Sequence, residues 1–282
     1  RPFCSTPASC AWGPMMSASW RLLAGLALAV LLILPVLPLV VWSFAHGWRF
    51  PELLPQAWSG KAWSHALSSG SGVLSSFATT SLIAAVTTAL SALIGIPAGR
   101  ALGLHRFRGK ALVTLLLLAP AILPGLAVVF GLHGLFLRLG LTGSIPGVIL
   151  AHLIPVLPYM TLIMAAVFAR FDPRFEAQAR SLGATPFQTF RTVTLPAILP
   201  GLLIAGLFAF LVSWSQYLLT LAIGGGRVQT LPLLLFSFAS AGRNDITAAV
   251  ALLYILPGLL ILAVTARRIT GRNVAVAKGL RP

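Results

Sequence analysis

Six stretches of this chain, each longer than twenty residues, contain no lysine, arginine, aspartate or glutamate, and they leave it few ways to fold. They run over 22–44, 73–98, 111–135, 147–169, 198–223 and 246–266. An apolar run of about 20 residues crosses the hydrocarbon layer as a helix, the conformation that satisfies its own backbone hydrogen bonds there. Soluble chains carry roughly 25% charged residues. This one carries 9%, is 58% hydrophobic and has a mean hydropathy of +0.95. So little charge could not cover a water-facing surface. The expected fold is an all-α polytopic membrane protein with six transmembrane helices. The first run is too long and too apolar for a signal peptide and lacks a clear small-residue cleavage site, so it reads as a retained span.

The basic residues set the orientation. The N-terminal stretch, the second-to-third loop (Arg100, Arg106, Arg108, Lys110), the fourth-to-fifth loop (Arg170, Arg174, Arg180, Arg191) and the C-terminal tail together hold fifteen. Arg49, Lys61, Arg138, Arg227 and Arg243 make five on the other side, which accounts for all 20. Cytoplasmic loops are enriched in Lys and Arg, so both termini are expected in the cytoplasm. The same placement explains a net charge of +16 without nucleic acid as a partner. Four tryptophans, Trp42, Trp48, Trp58 and Trp63, cluster near the outer ends of the first two spans like an interfacial belt.

The expected organisation is a leader over 1–21, a first span over 22–44, an outer loop over 45–72, a core with five spans over 73–269 and a cytoplasmic tail over 270–282. The core contains a cytoplasmic loop at 170–197. Met15 or Met16 would make a natural start, so the leader reads as an extension or a disordered segment. The two cysteines, Cys4 and Cys10, both fall in it and form no disulfide framework.

Catalytic signatures are missing. There is no Gly-x-x-x-x-Gly-Lys-[Ser/Thr] for nucleotide phosphates, no His-Glu-x-x-His and no Gly-x-Ser-x-Gly. "SSGSG" (68–72) reads as a flexible linker, and His133 and His152 as satisfied histidines near span ends. "GIPAG" (95–99) has the small-residue spacing of close helix pairs and reads as ordinary packing. The four acidic residues, Glu52, Asp172, Glu176 and Asp245, all lie in loops. Ion-coupled carriers usually hold an ionisable residue at mid-membrane. If this chain moves a solute uphill, the energy enters from outside the bilayer.

The informative loop is "FDPRFEAQARSLGATPFQTFRTVTLPAILPG" (171–201). Asp172 can cap a helix that starts at Pro173, Glu176 sits near its positive end, and Gly183 can stop it in the left-handed conformation. Thr185 and Pro186 restart a second short helix, which Leu195–Pro196 is expected to end. Phe175, Ala179 and Leu182 fall on one face. The expectation is two short amphipathic helices joined by a sharp turn at Gly183–Ala184.

This loop resembles the EAA loop of permease subunits of binding-protein-dependent ATP-binding-cassette importers. The resemblance rests on Glu176, Ala177, Gly183 seven residues after the glutamate, Leu195 and Pro196. Gln178 departs from the family's second Ala. The likeness extends from about the second span to the end of the chain. It implies that the loop is a coupling helix that docks on a separate ATPase subunit, with Asp172, Glu176, Ala177, Gly183, Ala184, Leu195 and Pro196 as its site residues. Glu176 would fix the loop's geometry or pair with a basic ATPase residue.

The resemblance further implies an ATPase dimer that holds ATP and Mg, a second permease subunit, an extracytoplasmic solute-binding protein and a bacterial inner membrane. It implies no cofactor on this chain, which would be a transport subunit and not an enzyme. The fifth span carries "VSWSQYLLT" (212–220), whose Ser213, Trp214, Gln216 and Tyr217 could line a substrate path or simply bond between helices. The outer stretch 224–245 would gate that path. It looks more similar to the polyamine, thiamine and ferric-iron group than to the sugar or amino-acid groups. The alternative reading is a secondary carrier or channel that works without an ATPase.

Overall fold

The computed structural model describes residues 23–279 except 24, 28, 29, 32, 49–51, 53, 54 and 56, with side chains described as far as Thr265. The leader 1–21 lies outside the described residues, as does much of the N-terminal half of the expected first span. That span's described helix is α1 (Val36–Phe44). A two-residue antiparallel pair follows, β1 (Ala45–His46) with β2 (Ala57–Trp58), and then α2 (Lys61–Leu67). The segment expected as a loop over 45–72 is therefore more built than that, and it adds a small strand pair to described residues that are otherwise helical or irregular. Ser68–Gly72 is an ordered turn rather than a flexible linker. It forms a 3-10 turn at Ser69–Ser71, closed by Ser71 Oγ donating to the Ser68 carbonyl at 2.8 Å.

The core is made by three long helices. They are α3 (Val73–Leu104), α6 (Ile145–Phe168) and α8 (Pro186–Trp214). α3 lies against α6 along most of its length, and α8 packs on both. Gly95, Gly99 and Gly103 of α3 recur every four residues and so share one face. A Cβ added at Gly99 would stand 2.5 Å from Met164 Cβ, and one added at Gly103 would stand 2.6 Å from the Ala165 carbonyl oxygen. The small-residue motif is thus a packing device, and it runs one step further than "GIPAG". Val156, Met160, Met164 and Phe168 fill the seam together with Ile198, Ala205 and Ala209 of α8.

Two expected spans differ from straight helices. The third is divided into α4 (Lys110–Ile122) and α5 (Gly125–Arg138), bent by 101°. Leu123 between them is extended, with φ −71° and ψ 146°, because a residue before proline avoids the helical region. The fifth begins twelve residues earlier than expected. Pro186–Thr189, a π segment at Phe190–Thr194 and Leu195–Trp214 run on as one helix. Leu195–Pro196 does not end the second short helix. Pro196 has no N–H to donate, and the wider turn absorbs this, with Leu195 N–H reaching the Phe190 carbonyl five residues back. At its far end α8 stops at Trp214, and the chain resumes as α9 (Leu218–Gly224).

The outer stretch after α9 contains α10 (Leu231–Ser240), and α11 (Asn244–Gly279) closes the chain. Four described helices are long and apolar enough to cross a membrane: α3, α6, α8 and the Asn244–Thr265 part of α11. The α4–α5 pair counts as a fifth if it forms one broken span. Leu93, Leu116, Phe130 and Leu260 are among the large apolar side chains left on the outside, as lipid-facing positions should be.

Candidate functional site

The loop at 170–197 is organised by local chemistry first. α7 (Arg174–Ser181) starts where Asp172 Oδ1 accepts the Arg174 N–H at 2.9 Å. It ends in a Schellman motif. Gly183 has φ 89°, its N–H reaches the Arg180 carbonyl at 2.9 Å, and the Ala184 N–H reaches Ala179 at 3.1 Å. Thr185 then caps α8 in a reciprocal box with Gln188, whose side chain accepts the Thr185 N–H at 2.8 Å. The spacing Thr-x-x-Gln carries that box in the sequence, although the reading above stopped at Thr185 and Pro186. The sharp turn at Gly183–Ala184 is present, between two helices as expected.

Glu176 lies at the centre of the loop and is buried, at 4% exposure. Arg100, the one charged residue of α3, donates to both of its oxygens, Nη1 to Oε1 at 2.7 Å and Nη2 to Oε2 at 2.6 Å. Thr194 Oγ1, in the π segment of α8, donates to Oε1 at 2.6 Å. Arg180 Nη2 stands 3.5 Å away, one turn along α7. The hydrogen bond from Arg100 holds the Glu176 carboxyl down at about 2 against the effect of burial, and Thr194 adds to it. The Arg100 guanidinium also sits 5.8 Å from the ring centroid of Phe168, the last residue of α6. One carboxylate thus ties α7 to α3 and α8 where they meet the end of α6.

Within this chain both Glu176 oxygens are engaged, by Arg100 and Thr194, and these bonds hold α7 against α3 and α8. Arg100 and Thr194 were missed in the sequence reading. Arg100 registered there only as a topology signal, and nothing local links it to a residue 76 positions away.

The other expected loop residues are less buried than Glu176. Ala177 and Pro196 are exposed, while Ala184 and Leu195 are half-buried. Phe175, Leu182 and Phe187 are 58%, 89% and 72% exposed. The apolar face of the loop is therefore uncovered in this chain.

The candidate path residues divide. Ser213 and Trp214 are buried in the packing, and Trp214 also borders a cavity of about 400 Å³ with Leu211, Ser215, Tyr254 and Gly258. Trp214 Nε1–H donates to the Tyr254 carbonyl at 3.1 Å, and its ring stacks on Phe210 and Tyr254 and meets Phe77 edge-on. Ser213 Oγ lies 3.0 Å from His152 Nδ1, and His152 Nε2 lies 2.9 Å from Thr220 Oγ1. The Thr220 hydroxyl already donates to the Gln216 carbonyl at 3.0 Å. The consistent assignment is then Nε2–H donating to Thr220 and Nδ1 accepting from Ser213. His152 is thus a satisfied histidine, as expected, and a buried strut of α6 that pins both sides of the α8–α9 break. Gln216 is half-buried at the break. Tyr217 does face an opening. It packs on Phe236 at 4.9 Å and lines a cavity of about 450 Å³ with Leu221, Val228, Gln229 and Ser237.

Comparison with known proteins agrees with this architecture. The chain belongs to the family of binding-protein-dependent transport system inner membrane components, whose model matches residues 95–272, and it is an inner-membrane permease subunit of an ABC importer. The inner membrane ABC transporter permease protein YnjC of Escherichia coli K12 is 39% identical over 147 residues, a match that covers 52% of this chain and 29% of that protein. The putrescine transport system permease protein PotI of the same organism is 29% identical over 251 residues, covering 85% of this chain and 87% of PotI. A crystal structure of a bacterial ABC transporter involved in alginate import contains a chain of the same fold. Its TM-score is 0.65 at 18% identity, over 90% of this chain and 99% of that one.

Proposed function

We propose that this chain forms half of the translocation path of an ATP-driven importer and takes its energy at the loop 170–197 from a separate ATPase dimer. The observation that carries this is the loop itself. Its geometry is locked from within by Glu176, while Phe175, Leu182 and Phe187 stand exposed beside it. Large apolar side chains that face neither lipid nor protein mark a protein contact. On this reading the membrane holds six spans, with both termini and the loop in the cytoplasm, as the Lys and Arg distribution requires. A second permease, identical or homologous, completes the path, and an extracytoplasmic binding protein delivers the solute. ATP and Mg sit on the ATPase. The first solute candidates are those of the polyamine, thiamine and ferric-iron group, and PotI, named for putrescine, belongs with them.

The test is ATPase activity of the reconstituted complex, comparing wild type with Gly183→Asp. Gly183 holds φ 89°, and an added Cβ there would meet nothing within 4 Å, so the change acts through backbone strain and the added carboxylate charge and not through a clash. A left-handed residue with a side chain costs about 1–2 kcal/mol. The variant is expected to insert normally and to lose a several-fold share of solute-stimulated turnover. Solute uptake by wild type in vesicles free of any ATPase would instead establish the alternative, a secondary carrier or channel.

A further inference from the structure

A second, smaller cavity, of about 260 Å³, lies at the start of α3. It is lined by Ser75, Ser76, Thr79, Ile145 and Arg227, and by Val228 and Gln229, which it shares with the Tyr217 cavity. Its size is just under the roughly 300–1,000 Å³ of small-molecule sites. Three sources of positive potential meet there. Ser75 and Ser76 sit in the first turn of the 32-residue α3, and Ile145 is the first residue of the 24-residue α6, so two helix N-termini border one space. Arg227 adds a full charge, and among the described residues no carboxylate lies within salt-bridge distance of it.

Opposing charge is absent or already engaged. The Ile223 carbonyl at the end of α9 accepts the Gly143 N–H at 2.7 Å, and the Gly224 carbonyl accepts from Arg227 and Val228. Asp245, which borders a different cavity, stands 3.9 Å from Arg243. The hydroxyl protons of Ser75 and Thr79 are directed to the carbonyls of Gly72 and Ser75, both at 2.9 Å. Ser76 is different. It is 1% exposed, it lines the cavity, and its Oγ has no hydrogen-bond partner among the described residues. A buried hydroxyl without a partner is costly unless something else supplies one.

We propose that this cavity is a solute subsite for an anionic oxygen group, a carboxylate or a tetrahedral oxyanion, with Arg227 as its cation and Ser76 as its buried donor. Arg presents a fork of N–H groups that matches such groups in pairs. A bare polycation would meet a guanidinium and two positive helix ends with no carboxylate to offset them, and unmatched charge of this kind rejects a ligand. The proposal rests on the importer reading and departs from its cationic solute candidates, putting in their place a solute that carries an anionic group.

The probes are sodium sulfate and putrescine, titrated at constant ionic strength into the full complex in nanodiscs while its melting temperature is followed. Wild type is expected to gain stability from sulfate and none from putrescine. Arg227→Gln should weaken the sulfate response about tenfold, the scale of one lost charge-assisted contact. Ser76→Ala should weaken it less and Ser75→Ala hardly at all, since the Ser75 hydroxyl is already engaged. A response to putrescine, or a sulfate response that Arg227→Gln leaves unchanged, overturns the subsite, as does no response to either probe. Assembly with the ATPase is read in the same samples. A complex that assembles without anion dependence overturns the subsite and leaves the importer reading standing. A permease that never assembles but binds sulfate through Arg227 does the reverse.

Discussion

Arg100→Ala is expected to cut solute-stimulated ATP hydrolysis by more than about tenfold while leaving the spans inserted. The change leaves the Glu176 carboxylate buried with only Thr194 and a distant Arg180. Removing one partner of a fully buried ion pair costs about 3–5 kcal/mol. The Arg100 side chain keeps 35% of its surface in solvent, so the discounted figure here is about 2 kcal/mol. That is enough to release α7 from α3 and α8, or to drive the carboxyl to protonate. Transmission through the loop should then fall by more than about tenfold, since 1.4 kcal/mol is a factor of ten. Arg100→Lys keeps the charge but not the paired hydrogen bonds and should fall between the two. Glu176→Gln removes the buried charge instead and should be milder than Arg100→Ala, because the stranded group is then the partly exposed one. Equal coupling in all four proteins would remove the clamp from the mechanism.

The same pair sets a pH dependence. The folded Glu176 carboxyl is held near 2, below its ordinary 4.5. A depressed carboxylate stabilises the fold fully above its unfolded value, and the contribution is lost as pH falls toward the folded one. The clamp should therefore be insensitive to pH between 5 and 8 and weaken between about 4.5 and 2. Titration of the carboxyl in wild type, followed by its infrared band, checks this. Protonation near pH 6 would mean that the ion pair does not form in the membrane.

Much of this site was legible before any coordinates. Asp172, Pro173, Gly183, Thr185 and Pro186 act through their own backbone neighbourhoods, so local rules placed the turn and both helix starts. The apolar runs marked the spans for the same reason. What the sequence reading missed depends on tertiary partners. Arg100 and Glu176 are 76 residues apart and meet only because α3 lies along α6. Hydropathy at 111–135 is blind to direction, so a 101° bend at Leu123–Pro124 looks the same as a straight span. The polarity of Ser213 and Trp214 left open a path or bonds between helices, and their partners on α6 and α11 are ones that composition alone does not reveal. The failure at Leu195–Pro196 has a narrower cause. Proline was read as a stop, and a π turn let the helix carry on through it.

Gly99→Leu is expected to give a large loss of folded protein. Without a hydrophobic drive between helices in lipid, association depends on close backbone approach and packing. At Gly99 the obstacle is partly backbone. A Cβ would lie 2.9 Å from the Ala165 nitrogen and 3.0 Å from the Met164 carbonyl carbon, as well as 2.5 Å from Met164 Cβ, so no rotamer change relieves it. Overpacking a core costs about 1–3 kcal/mol even where side chains can adjust. Here α3 and α6 must move apart, which also strips contacts from Met160 and Phe168. Gly206→Ala is the matched control in α8, since its Cβ would find only Thr88 Cγ2, at 3.9 Å. The leucine variant should fall more than about tenfold in membrane accumulation and melt well below wild type, with the control unchanged. The seam and the clamp share helices, since Arg100 is the next residue after Gly99 and Phe168 lies one turn beyond Met164. Molecules that do survive with Gly99→Leu should therefore also lose ATPase coupling, even though residue 99 touches no part of the loop. Normal accumulation with normal coupling would mean that the α3–α6 contact is looser than its geometry implies.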